Sequence, residues 1–194
     1  MMRLVLLAIA LIPILAADAQ IGKTAEPPIP TFTVCEILSR RMEYDGKLVR
    51  IRARLGATDE GVWFEGDDCP GILTIDGHVW PSMISLEVAS SEMGEYTHDH
   101  PVNFASDYGS EQKLRPKLRR IGRKVPEECV IWTYTGLFET RDIYPKVTYA
   151  KAPPKYIGFG HLGAAPAQLI FMTADDVNVD PNCHSKTAKN KLPK

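Results

Sequence analysis

Four cysteines constrain this 194-residue chain more than any other feature: Cys35, Cys69, Cys129 and Cys183. Their chemistry depends on compartment, and the N-terminus speaks to that. Arg3 gives a short positive start, Leu4 to Leu15 is an almost unbroken apolar run, and Ala17-Asp18-Ala19 has the small-x-small pattern that signal peptidase cuts. A run this short with these flanks reads as a signal peptide over 1–19 rather than a membrane span. The mature chain is then expected to start at Gln20, in the periplasm or outside the cell. No cysteine follows the cut directly, which speaks against a lipid anchor there, and no later apolar stretch reaches spanning length, so no transmembrane anchor is expected after processing. An even number of cysteines in an oxidising compartment predicts two disulfides. Three pairings are open. Cys35–Cys69 with Cys129–Cys183 is preferred, closing loops of about 35 and 55 residues that the chain-entropy model values at roughly 4 kcal/mol each. The rival is a metal site with His184 beside Cys183, but no C-x-x-C spacing is present and exported thiols tend to oxidise first.

Without the leader about 175 residues remain, enough for one domain with a substantial core. The leader's two charges, Arg3 and Asp18, cancel, so the mature chain keeps the net charge of −1. Such a balance gives no global pull toward nucleic acid or acidic membranes.

Along the chain, 20–32 is a polar, Pro-rich lead-in. Thr33 and Glu36 form a T-x-x-E capping box that starts a helix, with Val34, Ile37, Leu38 and Met42 as its expected buried stripe and Asp45-Gly46 as its stop. Lys47 to Thr58 alternates, Val49, Ile51, Ala53 and Leu55 on one face and Arg50, Arg52 and Arg54 on the other, the pattern of a half-buried strand. Further strand regions are expected at 62–66, 72–88, 129–141 and 168–179, with Gly136 marking a bend or bulge. Residues 89–128 form a long polar insertion in which helical pieces near 111–120 are interrupted by Pro116. Residues 142–168 form a Pro/Gly-rich connection, and 184–194 a basic tail.

Five short strands in one exported domain must bury their inner faces and hide their edges, which a small barrel does. The expected fold is therefore mainly β: a single domain over 33–183 built as a five-stranded OB-like barrel with an N-terminal helix, the insertion taking the place of the connecting helix. An irregular β-sandwich or α+β domain is the alternative. Two segments carry a resemblance. Tyr44-Asp45-Gly46-Lys47-Leu48-Val49-Arg50 looks like the helix-to-strand junction of an uncharacterised exported bacterial OB-fold-like family, and Gly158-Phe159-Gly160-His161-Leu162-Gly163 with Pro166-Ala167-Gln168-Leu169 looks like that family's late segment. The resemblance implies the fold and an exported location, and brings no activity with it.

The G-x-G-x-x-G of Gly158, Gly160 and Gly163 lacks the strand–turn–helix setting that a dinucleotide needs. It reads instead as a loop needing unusual backbone angles or close chain approach, with His161 as a candidate at the rim of a binding groove. His98-Asp99-His100 would place two imidazoles on one side if extended, making His98 and His100 weak zinc-ligand candidates, with Glu95, Asp107 and His78 as conceivable third partners. Lys113 to Lys124 carries seven cations and no acid, either a solvated surface or a patch for an anionic partner. It holds no aromatic residue to stack on bases. Trp63, Trp132, Tyr134 and Phe138 would offer a platform only if they face outward. No G-x-S-x-G, H-E-x-x-H or Walker pattern occurs.

These features point to an exported, disulfide-stabilised binding domain without a cofactor, using Arg50, Arg52, Arg54 and His161. Its partner would be an anionic envelope polymer or another exported protein rather than nucleic acid. A metal-dependent exported hydrolase using the loop histidines and a structural envelope component are the alternatives.

Overall fold

The computed structural model describes residues 28–66, 69, 73–89, 98–148 and 155–183. The leader, most of the lead-in, Glu95 and the basic tail with His184 lie outside the described residues. Strands take 45% of the structure against 23% for helices, so the fold is mainly β. In chain order the elements are β1 (Thr31–Phe32), α1 (Val34–Ser39), α2 (Arg41–Tyr44), β2 (Lys47–Thr58), β3 (Gly61–Glu65), β4 (Leu73–Ile75), β5 (His78–Trp80), β6 (Met83–Val88), α3 (Tyr108–Gly122), β7 (Val130–Thr140), β8 (Lys146–Val147), β9 (Lys155–Tyr156) and β10 (Ala167–Val179).

The main sheet is mixed and six-stranded, in the order β1-β2-β3-β6-β10-β7, and β7 also pairs with β2. Hydrogen bonding therefore passes from β2 through β3, β6, β10 and β7 back to β2. β2 divides its length to do this: Lys47–Ala53 run antiparallel to β7, and Arg54–Thr58 run antiparallel to β3. β6 and β10 are parallel. The alternation of β2 sends Val49, Ile51 and Ala53 into the core with Phe64, Ile84, Phe138, Leu169 and Phe171. A second cluster of Ile75, Trp80, Tyr144 and Phe159 sits under the two hairpins β4–β5 and β8–β9. The strand region at 72–88 holds the short strand before Asp76-Gly77, the turn there with both residues at positive φ, and the strand Met83–Val88, and adds β5 after the turn, which pairs back on β4.

The capping box at Thr33 is formed in full. Glu36 N–H donates to Thr33 Oγ1 at 3.3 Å, and Thr33 N–H donates to the Glu36 carboxylate at 2.7 Å. The Thr33 backbone N–H and, at 2.9 Å, the Thr33 hydroxyl both donate to that carboxylate and hold it below its usual range. The helix stops at Ser39, and α2 is a separate short turn before Asp45, so Met42 falls out of the expected buried stripe and is exposed.

α3 is continuous over fifteen residues with Pro116 inside it, where an interruption was expected. Pro116 and Gln112 both lie on the exposed side, so the carbonyl that loses its helical partner can bond water instead. Two bulges in β10 fasten this helix. The register slips between Phe171 and Thr173 and again between Ala174 and Asp176, leaving Met172 and Asp175 as the extra residues. The Met172 carbonyl accepts from Asp107 N–H at 2.8 Å. Asp107 is the N-cap and accepts from Ser110 N–H at 3.2 Å. Ala174 N–H donates to Ser110 Oγ at 2.8 Å, Tyr134 donates its hydroxyl to Glu111 at 2.9 Å, and Lys117 meets Asp176 at 2.5 Å. Burial, reinforced by the Glu111 carboxylate, pushes the Tyr134 phenol far above its ordinary value.

Cys35 is bonded to Cys69, with Cα atoms 5.1 Å apart, and Cys129 to Cys183, at 5.4 Å. The first ties α1 to the chain beyond β3. The second ties the start of β7 to the chain beyond β10. Among the described residues no helix is long and apolar enough to cross a membrane.

Removing the second staple with Cys129→Ser/Cys183→Ser should lower the unfolding free energy by roughly 4 kcal/mol, read from denaturant melts without reductant. Asp176 carries the pH dependence of the helix attachment. The Lys117 hydrogen bond, aided by those of Val177 N–H and Asn178, lowers its pKa in the fold. Its contribution is therefore full above the ordinary carboxylate range and is lost as pH falls through the depressed folded value. The pair is nearly half exposed, so that contribution is under about 1 kcal/mol. Asp176→Asn should flatten the acid limb of the stability–pH curve by that amount.

Candidate functional site

The segment that spells G-x-G-x-x-G folds into a compact lobe. Phe159 and Ala165 exchange backbone hydrogen bonds at 2.8 and 3.1 Å, Gly158 N–H donates to the Gly163 carbonyl at 2.9 Å, and Gly163 N–H donates to the Gly160 carbonyl at 3.0 Å. His161–Gly163 is a single 3-10 turn. Gly160 has φ +71°, and a Cβ there would lie inside contact distance of Ser85 on β6. Its role is close approach of the lobe to the sheet, and no helix follows that would cradle a phosphate. Leu162 also takes positive φ, at 56°, and is 65% exposed.

Between this lobe and the β2–β3 turn lies a groove of about 310 Å³. Its floor is the outer face of β3 and β6, with Trp63, Met83 and Ser85. Phe159, His161 and Leu162 form one wall, and Thr58, Glu60 and Gly61 the other. The indole of Trp63 lies across Gly56, its partner on β2, where any side chain would collide with it. Trp63 is thus held flat on the sheet, half-buried, with its outer side lining the groove. His161 Nε2 lies 3.3 Å from Glu60 Oε2 across the mouth. The result is an apolar floor with a polar rim, the usual make-up of a small-ligand site.

The arginine ladder faces outward, and each member stands differently. Arg50 Nε donates to Asp175 at 2.9 Å and to Thr135 Oγ1 at 3.3 Å; the second β10 bulge has turned Asp175 toward it. Arg54 reaches the Glu128 carbonyl at 3.5 Å. Arg52 is exposed. Both Arg52 and Arg54 line a second, larger cleft of about 770 Å³ bordered by Glu65, Glu128, Asp180 and both disulfides. That cleft opens where β2 leaves β7 and takes β3. His161 and the three arginines therefore do not meet in one site. Tyr134 and Phe138 are core residues, Trp132 packs against the core, and Trp80 belongs to the second cluster, so of the aromatic residues considered only Trp63 serves as a platform.

His98 and His100 are engaged with different carboxylates. His100 Nε2 lies 2.9 Å from Asp45 Oδ2, and its backbone N–H donates to Glu139 at 2.8 Å. His98 Nδ1 is buried without a hydrogen bond, 4.0 Å from Glu139. Asp99 between them accepts from Arg141 in a two-pronged bond at 2.5 and 2.9 Å, which raises the guanidinium's pKa. Asp107 is a helix cap, and His78 stacks on Tyr156 at 4.5 Å. Among the described residues no group of three or more His, Cys, Asp or Glu side chains is placed to hold a metal.

Sequence reasoning missed Glu139, which is fully buried and also accepts from Gln168 Nε2 at 2.6 Å. The signal was faint: Glu139 and Gln168 are register partners on β7 and β10. It also missed the groove wall from Glu60. No family model matches the chain, and neither curated proteins nor solved structures yield a match.

Gly160→Ala forces an alanine into the left-handed region and against Ser85. It should cost roughly 1–3 kcal/mol and shift the NMR signals of Ser85, Trp63 and His161 together. A melt equal to wild type would mean that the lobe is not pressed on β6.

Proposed function

We propose that this protein is an exported, disulfide-stapled binding domain of OB-like barrel architecture, with its ligand site in the groove between the β2–β3 turn and the 157–165 lobe. The cyclic order of pairing β2-β3-β6-β10-β7-β2 supports the barrel, as do the parallel β6–β10 pair and the position of α3 between β6 and β7. In OB-folds the second and third strands and the loops 1–2 and 4–5 carry the ligand. The observation on which this reading rests is that the groove is lined by those same four parts: β3, β6, the 58–61 turn and the lobe before β10. The two disulfides and the leader-like N-terminus support export, and the two segments resembling the exported OB-fold-like family agree with it.

The groove's chemistry favours a sugar-like or apolar group of an envelope polymer. Trp63 offers a rigid aromatic face to a ring, while Glu60 and His161 bond hydroxyl or amide groups at the rim. Arg52, in the neighbouring cleft, would hold an anionic substituent of the same polymer. The metal-dependent hydrolase finds no support in the way His98 and His100 are bonded.

The test is an NMR titration with soluble glycan oligomers released from a bacterial cell envelope. The indole N–H signal of Trp63 and the imidazole signals of His161 should move. Trp63→Ala should weaken binding about tenfold, and His161→Ala and Arg52→Ala should weaken it further, with melting temperature unchanged in the latter two. Shifts confined to residues outside the groove, or no shift at all, would overturn the reading.

A further inference from the structure

The inner side of α3 is fully committed to the sheet through Ser110, Glu111, Leu114 and Lys117. Its outer side is different. Every exposed charge from residue 112 to 124 is positive: Lys113, Arg115, Arg119, Arg120, Arg123 and Lys124. Among the described residues only Lys113 of these approaches an acid, Asp107 at 4.0 Å, and Arg120 reaches only the Pro116 carbonyl, at 3.4 Å. The side chains of Arg115, Arg119, Arg123 and Lys124 make no hydrogen bond or ion pair among the described residues. Arg115, Arg119 and Arg123 recur every four residues, so they form one ridge with guanidinium groups about 6 Å apart along the axis.

Like charges at this spacing repel, and that repulsion opposes the helix unless a counter-charge meets it. The helix dipole favours cations only in the last turn, which accounts for Arg119, Arg120 and the C-cap Arg123 but not for Lys113 or Arg115. The shallow depression on this face is lined by α3 alone. Among the described residues no second element supplies a wall, so a polymer strand or small anion would find no grip there from the other side. A plane can meet such a ridge along its whole length. From residue 112 to 124 the face carries no aromatic residue to stack on bases and no exposed large apolar side chain to insert between lipids; Tyr108, exposed at the start of the helix, has its ring edge-on against Phe171.

We propose that the outer face of α3 docks this protein on an anionic lipid bilayer, by electrostatic adsorption without insertion. The face is separate from the groove, so the protein would lie on the membrane with its ligand site free.

Vesicle co-sedimentation tests this, comparing phosphatidylcholine vesicles with the same vesicles carrying about 30% phosphatidylglycerol, a charge density at which polybasic faces bind. The readout is the difference between the two, which cancels any apolar adsorption. At low ionic strength the protein should bind the anionic vesicles in excess, and high salt should abolish that excess. Arg115→Gln/Arg119→Gln/Arg123→Gln should weaken it on the order of a hundredfold with an unchanged melt. Should that variant lose its fold, the corresponding triple Lys variant, which keeps the charge, must retain the excess. The proposal is overturned if the wild type shows no excess at low salt, if the folded Gln variant binds as wild type, or if long-chain polyphosphate binds this face more tightly than the vesicles do.

Discussion

The division of β2 between two partners governs the rest of this structure. A strand that bonds β7 with its first seven residues and β3 with its last five bends the sheet around whatever lies on its inner face. Val49, Ile51 and Ala53 occupy that face, so the core forms at the bend. Gly56, just past the change of partner, lets the Trp63 ring lie flat. The larger cleft opens at the same point, because β3 and β7 diverge on either side of Arg52–Arg54. Both candidate surfaces near β2 are consequences of one geometric requirement.

A second constraint acts where β7 ends. Glu139 is a carboxylate with no exposed surface. Burying one is costly unless its oxygens are bonded. Here the His100 backbone amide and the Gln168 side chain supply donors, Asp45 receives the His100 imidazole and the Thr140 amide, and Tyr144 and Thr140 both donate to the Pro166 carbonyl. The network joins the 98–100 segment, the junction before β2 and the start of β10. Two connections that composition alone makes look loose are thereby fixed to the sheet. It also gives His100, one of the two histidines that suggest metal chemistry in the sequence, the role of a fastener in the fold.

Much of the fold was legible because period-two alternation and capping are local properties. Lys47–Thr58 announced itself by alternating arginines and aliphatics, and Thr33 with Glu36 announced a helix start that the bonds reproduce. Long-range pairings were not legible. Pro116 looks like a break until α3 is seen to present it to solvent, and the bulges at Met172 and Asp175 arise from fitting β10 against β7, which neither strand's sequence records alone. The rim role of His161 could be framed in advance because a loop before the last strand borders few other elements. Its partner Glu60, about a hundred residues away in sequence, could not.

β3 and β6 form the floor of the groove, and both are flanked on each side: β3 by β2 and β6, and β6 by β3 and β10. Their main-chain donors and acceptors are already spent within the sheet. A peptide therefore cannot be recognised here by adding itself as another strand. A ligand of the proposed groove would be read by its side chains and by the backbone of the lobe and turn, so its specificity could change by substitution at a handful of positions while the scaffold stays as it is.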